Sequence, residues 1–313
     1  MKKELYFNFN PRIKCFLHHA FIFGMIQDEE LSEYLAINNY IQIYLSNNNW
    51  FDFYTPDYFH NNDIFERKYL SIPLTENNNL NKVLINIIIN MINKGFYVTG
   101  IFNEFYIPFC WHHNLWDYNH KFLLNGFDNT KKCFCLIGYY GKDLVKKEIS
   151  FKEMLTAIRN TNNEVCELIF IKPKTIFNKK ISIDKIKNSF DNLLYSKTTY
   201  DYGYNIRCSG IVAMKNKLDS MIRNQDISIA ILYLLFEHSK VLQQSLEYLN
   251  NNSNNMNIYI KKCKEIINLC KMNINLNLKG NLNKQNYNKI IFKNLSIIIN
   301  EEKALIERVI KTI

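Results

Sequence analysis

The pattern of hydrophobic and polar positions divides the chain into two regions of different character. In the first region, alternation with a period of two residues predicts strands at Tyr40–Leu45 and Phe96–Phe102. Two further runs, His120–Phe127 and Lys132–Tyr139, flank the turn-forming residues Asp128–Lys131. This order predicts a β-hairpin.

Helices in the first region have recognisable end signals. Leu80–Lys94 has helical spacing and is followed by Gly95, a residue suited to a helix C-terminus. Ser150 and Glu153 have the spacing of a capping box, which predicts that a helix begins there. The run Cys166–Ile171 predicts the next strand.

From Ile183 onward the apolar residues recur with a helical period. The predicted helices span 184–196, 205–224, 227–250, 256–274 and 287–312. We therefore predict an α+β protein in which a domain over residues 1–180 is followed by an all-helical bundle over 181–313. The low glycine and proline content, 9 and 5 residues among 313, also argues against an all-β chain.

Charge and cysteine usage exclude several classes of function. The net charge is +10, but the lysines are mixed with glutamates and show no nucleic-acid-binding motif, so we expect no nucleic-acid partner.

The apolar run Leu84–Ile92 is too short to span a bilayer, and we expect no membrane association. The residues after Met1 form no apolar signal segment, and the eight cysteines have no disulfide-like spacing, which predicts a reducing cytoplasm.

No cofactor or metal is expected. The chain has no glycine-rich phosphate loop and no cysteine or histidine pairs at zinc spacing. Cys133 and Cys135 alternate on one face of a predicted strand and form no metal pair. Cys110, His112 and His113 form a candidate metal cluster, with an aromatic-flanked loop as the alternative. We favour the loop.

The segment Arg12–Gly24 places a thiol, Cys15, between an irregular segment and an apolar run typical of a helix. A cysteine in the first turn of a helix lies at the positive end of the helix dipole, which favours the thiolate. The thiolate is the nucleophile of covalent acyl chemistry. A buried structural cysteine is the alternative, so a catalytic role for Cys15 requires a base elsewhere in the chain.

His120 is the candidate base because it opens a predicted strand and would be held on a rigid element. A cysteine on a helix and a histidine on a strand, far apart in sequence, form the papain-type arrangement. A surface or core histidine is the alternative interpretation.

Several short motifs follow one another along most of the chain. They are Lys94–Val98, Phe105–Pro108, His120–Asp128, Ile149–Phe151, Tyr202–Asn205 and Phe236–Lys240. In this order they resemble the N-terminal domain of butirosin biosynthesis protein H and its relatives, papain-like proteins found beside nonribosomal peptide and polyketide genes.

The resemblance implies an acyltransferase or amide synthase with a papain-like domain. In this interpretation Cys15 is the nucleophile and His120 the general base, and an acyl group passes from a carrier-protein thioester to a small-molecule amine. The resemblance implies acyl or peptidyl carrier proteins as partners. It leaves open whether this protein forms a homodimer. Asn10 is a candidate oxyanion donor, with a plain turn residue as the alternative.

One position departs from the family pattern. Relatives carry an aspartate on the strand after the histidine, where this chain has Gly138. Asp128 and Asp117 are candidate substitutes for that orienting carboxylate. A non-catalytic binding or scaffold protein is therefore one alternative function, and a cysteine peptidase is another.

Overall fold

The computed structural model describes residues 1–313 except 61–63, 74–77, 142, 162–164, 176–179, 199–200, 253–254 and 284. In the first half the elements are β1 (Lys2–Glu4), α1 (Leu17–Met25), α2 (Glu29–Asn39), β2 (Ile43–Ser46), β3 (Phe51–Phe53), β4 (Phe65–Pro73), α3 (Asn78–Asn93), β5 (Tyr97–Asn103), β6 (Asn119–Asp128), β7 (Cys133–Tyr140), β8 (Asp143–Ser150) and α4 (Phe151–Arg159). The second half contains β9 (Val165–Pro173), α5 (Ile183–Tyr195), β10 (Ile206–Ser209), α6 (Gly210–Asn224), α7 (Ile229–Asn251), α8 (Asn257–Asn283) and α9 (Asn288–Thr312). The protein is α+β, as predicted, and its sheets are antiparallel.

The first compact unit comprises residues 1–28 and 57–177 and is built on one antiparallel sheet. The strand order is β4-β9-β5-β6-β7-β8, and β1 also pairs with β6. Helices α3 and α4 pack on the sheet, and the core between them contains Ile88, Met154 and Phe102. Each such buried side chain contributes roughly 1.5–3 kcal/mol through the hydrophobic effect. The start of β6 is held by its pairing with β5 over Asn119–Leu124, and the rest of the strand is also paired with β7.

The predicted end signals of this unit are confirmed. Gly95 has a φ of 86°, a left-handed conformation that glycine adopts without strain, and α3 ends just before it. The side chain of Ser150 accepts from the Glu153 N–H and the Glu153 carboxylate accepts from the Ser150 N–H, which starts α4. Asp128 accepts from the N–H groups that follow it in the turn between β6 and β7.

Strands β4 and β8 were not predicted, and both lie at the ends of the sheet order. β4 carries Glu66 and Lys68 and has one buried residue, Phe65, while β8 carries Lys146 and Glu148. Edge strands with charged residues avoid pairing with other chains. The same charges obscure the apolar alternation that identifies a strand in sequence.

The second compact unit comprises residues 29–56 and 178–313. It contains helices α2 and α5 to α9 and a three-stranded sheet in the order β10-β2-β3. The predicted division at 180/181 was therefore wrong for residues 29–56, and the second unit is not all-helical. The predicted helix 205–224 starts later, at Gly210, because Ile206–Ser209 extend to pair with β2. Periodicity reports local structure and does not show which distant strand is the partner.

A buried polar cluster lies in the interior of the second unit. His238, Ser239 and Glu302 are all fully buried. The Ser239 hydroxyl donates to Glu302 Oε1 at 2.7 Å, and Glu302 Oε2 lies 3.4 Å from His238 Nδ1. His238 Nε2 lies 2.8 Å from the carbonyl oxygen of Ile41, so Nε2 carries a proton and donates it. This cluster links α7 and α9 to the chain just before β2.

Within the described residues, no helix is both long enough and apolar enough to cross a lipid bilayer.

Candidate active site

Cys15 lies immediately before the N-terminus of α1. The helix begins at Leu17 with Phe16 as its N-cap, so Cys15 precedes the first turn in which the sequence had placed it. The N–H groups of the first helical residues have no acceptor within the helix, and they make this end of α1 electropositive. The thiol is buried, with Cys15 8% exposed.

Two contacts attach the Cys15 segment to the centre of the sheet in the same unit. The hydroxyl of Tyr139, on β7, donates to the carbonyl oxygen of Lys14. Helix α1 packs against β6, the neighbouring strand. The structure therefore holds the chain on both sides of Cys15 against β6 and β7.

His120 lies at the start of β6, as predicted, and pairs across the sheet with Phe102 of β5. Its Nδ1 lies 2.8 Å from Oε1 of Glu104, and its side chain is 36% exposed. A carboxylate can only accept, so Nδ1 carries the proton and the lone pair of Nε2 is the basic site of the ring. This is the protonation pattern that a cysteine-activating histidine requires.

Glu104 is a buried carboxylate shared by two histidines. Its second oxygen, Oε2, lies 2.5 Å from Nδ1 of His112. Burial raises the pKa of Glu104, but the hydrogen bonds from His120 and His112 outweigh it and hold the pKa below its usual value. The carboxylate is therefore ionised at neutral pH and stabilises a positive charge on the imidazole ring of His120.

The backbone around Glu104 is fixed by local hydrogen bonds. The Asn103 side chain accepts from the Phe105 N–H and starts a 3-10 turn over Glu104–Tyr106. The Glu104 N–H donates to the carbonyl oxygen of Tyr118, two residues before His120. The last residues of β5 and the first residues of β6 thus hold the carboxylate beside the imidazole.

Sequence reasoning missed the hydrogen bond between Glu104 and His120. Asp128 lies at the far end of β6 from His120, where it binds backbone N–H groups of the turn. Asp117 lies closer to the site, but its Oδ1 accepts from the side chain of Asn103 at 2.8 Å. The feature that could have indicated this contact is the position of Glu104 directly after β5. Antiparallel pairing of Asn103 with Asn119 brings residue 104 next to the start of β6.

Gly138 lies opposite an aromatic ring. A Cβ atom added to Gly138 would lie 2.8 Å from two ring carbons of Phe122. That ring stacks on Phe102 with centroids 5.9 Å apart and meets the edge of His120 at 5.6 Å. The space that an aspartate at position 138 would need is therefore filled by the ring of Phe122.

We expect Gly138→Asp to lower the free energy of unfolding by about 1–3 kcal/mol, because it overpacks the contact with Phe122. It should not accelerate acylation of Cys15. Urea unfolding of the variant measures the first effect, and combining it with Phe122→Leu should recover part of the lost stability. A Gly138→Asp protein that is as stable as the natural chain and reacts faster would contradict this account.

Asn10 is exposed, and its Oδ1 accepts from Nζ of Lys14 at 2.8 Å. The role of an oxyanion donor stays a prediction for this residue.

The loop between β5 and β6 presents apolar side chains to solvent beside the site. Trp111, Leu115 and Trp116 are 78%, 60% and 53% exposed. The ring of His112 lies 4.9 Å from that of Trp116 and 4.3 Å from that of Tyr118. The rings of Trp116 and Tyr118 therefore both pack on His112, one of the two histidines that bind Glu104.

Cys110, on the same loop, is not an equivalent thiol. Burial, together with the negative charge of Glu104, raises its pKa to about 12. His113 is engaged through both ring nitrogens, with Phe105 O at 3.0 Å and the Asn114 side chain at 2.9 Å. These contacts fit the interpretation of this segment as a structural loop.

Comparison with models of known protein families and with curated protein sequences finds no match to this chain.

Proposed function

We propose that this protein is a cysteine-dependent acyltransferase in which Cys15 is the nucleophile, His120 the general base and Glu104 the residue that orients His120. The observation that carries the proposal is the hydrogen bond between Nδ1 of His120 and the buried carboxylate of Glu104. It selects the tautomer and stabilises the charged form of the ring. The contacts of Lys14 and α1 with β7 and β6 support an approach of the thiol to the same part of the sheet.

In the proposed reaction Nε2 of His120 removes the proton of the Cys15 thiol. The thiolate attacks the carbonyl carbon of a thioester, the donor C–S bond breaks, and the departing thiolate takes the proton from the imidazolium. An amine then attacks the acyl-enzyme and His120 accepts the amine proton. The bond between the acyl carbon and Cys15 Sγ breaks to give an amide, and the imidazolium returns the proton to the departing Sγ. His120 thus acts as base and as acid in both halves of the reaction.

The donor that we propose is an acyl or peptidyl carrier protein, as the sequence resemblance implies. The net charge of +10 suits an acidic protein partner through long-range attraction. The exposed rings of Trp111 and Trp116 beside the site favour an apolar acyl group. We also propose that the domain is papain-like. In a papain-like domain, a cysteine at the start of a helix faces a histidine on a strand.

The two alternatives now differ in their support. The non-catalytic interpretation was motivated by Gly138, and the Glu104 carboxylate fills the orienting role that this glycine leaves open. A cysteine peptidase would use the same three residues and would transfer the acyl group to water. The acceptor, amine or water, is therefore the property that separates transferase from hydrolase.

We expect an acyl-loaded carrier protein, or the matching N-acetylcysteamine thioester, to give an acyl adduct on this protein by intact mass. Cys15→Ala should form no adduct, whereas Cys110→Ala should form it at the natural rate because that thiol is held protonated. Adding a primary amine should release the acyl group faster than water alone does. An adduct that persists in Cys15→Ala, or no adduct with any thioester, would refute the proposal.

A further inference from the structure

His112 holds the second oxygen of the carboxylate that contacts His120. Nδ1 of His112 lies 2.5 Å from Oε2 of Glu104, and Nδ1 of His120 lies 2.8 Å from Oε1 of the same carboxylate. An ionised carboxylate only accepts hydrogen bonds, so each ring donates its Nδ1–H to one oxygen. Both bonds involve a charged acceptor and are therefore strong. Rotation of the Glu104 carboxylate away from His120 would break the bond to His112.

The ring of His112 is held in place by its own neighbours. Its centroid lies 4.9 Å from that of Trp116 and 4.3 Å from that of Tyr118. Its backbone is part of a turn, because the carbonyl oxygen of His112 accepts from the N–H of Leu115. The position of the ring therefore does not depend on Glu104 alone, and His112 can act as a support for the carboxylate.

Burial differs between the two histidines. The side chain of His112 is 19% exposed and that of His120 is 36% exposed. Two imidazolium rings on one carboxylate repel each other, so such a pair takes up its two protons in separate steps. Desolvation disfavours the charged form of the more buried ring. The first proton therefore goes to His120, while His112 stays a neutral donor.

The bond from His112 also helps to keep Glu104 ionised. Burial raises the pKa of Glu104, and the hydrogen bonds from His120 and His112 lower it below its usual value. Without the His112 bond the glutamate would be protonated more readily and could then donate to Nδ1 of His120. That contact favours the tautomer with its proton on Nε2, which cannot act as the base.

Other ionisable groups surround the two histidines. Burial, together with Glu104, raises the pKa of Cys110 to about 12 and keeps this thiol uncharged. Asp117 accepts from a side-chain amide, and His113 is bound through both ring nitrogens. Only histidine changes charge between about pH 5 and 8 at its ordinary value, so a titration in this range follows the histidines. Further ionisable residues described on the neighbouring segments include Tyr106, Tyr118, Lys121 and, on α4, Lys152, Glu153 and Arg159.

We propose that His112 is a positioning residue of the candidate active site. As a neutral donor it holds Oε2 of Glu104, so that Oε1 stays aligned with His120 and the positive charge of the reaction stays on His120. This inference rests on the proposed function, since it concerns how Glu104 acts on the base of that reaction.

His112→Phe and His112→Asn form a matched pair for the test. Phenylalanine keeps an aromatic ring beside Trp116 and Tyr118 but cannot donate, whereas the asparagine amide can donate from about the place of Nδ1. We expect His112→Phe to slow acylation of Cys15 by about tenfold or more, the effect of losing a hydrogen bond to a charged group. His112→Asn should recover most of that loss. Intact mass after mixing with an acyl thioester measures the rates.

His113→Phe is the control on the same loop. His113 binds the carbonyl oxygen of Phe105 and the side chain of Asn114, not Glu104. We expect this variant to change the acylation rate by less than about threefold.

Spectra of the histidine rings separate positioning from an effect on folding. Long-range ¹H–¹⁵N NMR shows which ring nitrogen carries the proton. In the natural chain we expect neutral His120 to carry it on Nδ1, and His120 to become charged at higher pH than His112. His112→Phe should shift neutral His120 toward the Nε2–H form, and His112→Asn should restore the Nδ1–H form. A purely structural role would lower the folded fraction without changing the tautomer of the folded molecules.

The results distinguish this inference from the proposed function. If the natural chain forms no adduct with any thioester, the acyltransferase proposal fails, and the tautomer of His120 in His112→Phe still decides the role of His112. If the adduct forms and His112→Phe keeps both the rate and the tautomer, the role of His112 is refuted and the acyltransferase proposal stands.

Two further outcomes would overturn the role of His112. An equal loss of rate in His113→Phe would assign the effect to the loop as a whole. A natural chain in which His112 becomes charged at higher pH than His120 would contradict the neutral donor, and this measurement does not depend on the folding of any variant.

Discussion

Glu104→Gln is expected to slow acylation of Cys15 by about 10²- to 10⁴-fold. Neutralising the orienting aspartate of a serine-protease triad costs about 10⁴ in rate, the upper end of this range. The glutamate accepts a hydrogen bond from Nδ1–H of His120, which leaves Nε2 as the base. An amide at this position can donate to Nδ1 and so favour the opposite tautomer. It also removes the negative charge that stabilises the imidazolium.

The measurement is the rate of adduct formation with an acyl thioester, together with the pH dependence of Cys15 alkylation by iodoacetamide. A thiolate paired with an imidazolium is alkylated rapidly at pH 6, and Glu104→Gln should move that reactivity to higher pH. A purely structural role of Glu104 would lower the folded fraction without shifting the pH profile. Glu104→Asp, which keeps the charge, should retain part of the rate.

Asp117→Asn is the matched control, because Asp117 is a carboxylate near the site that binds Asn103. We expect it to change the acylation rate by less than about threefold, since it leaves the hydrogen bond of Glu104 to His120 intact. If Asp117→Asn lost the activity and Glu104→Gln kept it, the orienting role would belong to the aspartate.

Glu302→Ala is expected to lower the free energy of unfolding of the second unit by about 3–5 kcal/mol. Glu302 is fully buried, accepts from Ser239 and faces Nδ1 of His238 at 3.4 Å. Truncation leaves the Ser239 hydroxyl without this acceptor, removes the carboxylate that faces His238, and opens a cavity between α7 and α9. Glu302→Gln should cost less, because the amide can still accept from Ser239 and can donate to His238.

The neighbouring Glu301 provides a matched control. It is about 40% exposed and pairs with Lys262 at 3.2 Å. Surface pairs of this kind contribute at most about 1 kcal/mol, so Glu301→Ala should be nearly neutral. Urea unfolding followed by circular dichroism, with hydrogen exchange of the α7 and α9 amides, measures both variants. Equal stability of the two alanine variants would show that the buried cluster does not stabilise this unit.

The candidate site shows which residues could be proposed from the sequence and which could not. Cys15 and His120 could be proposed from residue type, predicted element and motif order, although their roles stay predictions. Glu104 could not, because its role depends on the register of β5 against β6. Once that pairing is known, the position of residue 104 beside residue 120 follows from antiparallel geometry.

Gly138 shows that one position does not reveal which carboxylate contacts the imidazole. Its lack of a carboxylate suggested a missing member of the triad. In the structure the ring of Phe122 occupies that space, and a carboxylate reaches the imidazole from the end of the adjacent strand. The identity of a neighbour across a sheet is information that a single strand does not contain.

Local features were determined by the sequence itself. The capping box at Ser150, the helix end at Gly95 and the hairpin between β6 and β7 depend on residues close together in the chain, and each is confirmed. Their physical basis is hydrogen bonding and backbone preference over a few residues.

Only the tertiary structure decided the associations over long distances. It placed residues 29–56 with the second unit, paired β10 with β2, and brought Glu104 to His120. Hydrophobic periodicity predicts which face of a helix or strand is buried. It does not predict which other element covers that face. Which partner does so is settled by packing and register across the whole fold, and in this protein that choice also supplies the carboxylate of the candidate active site.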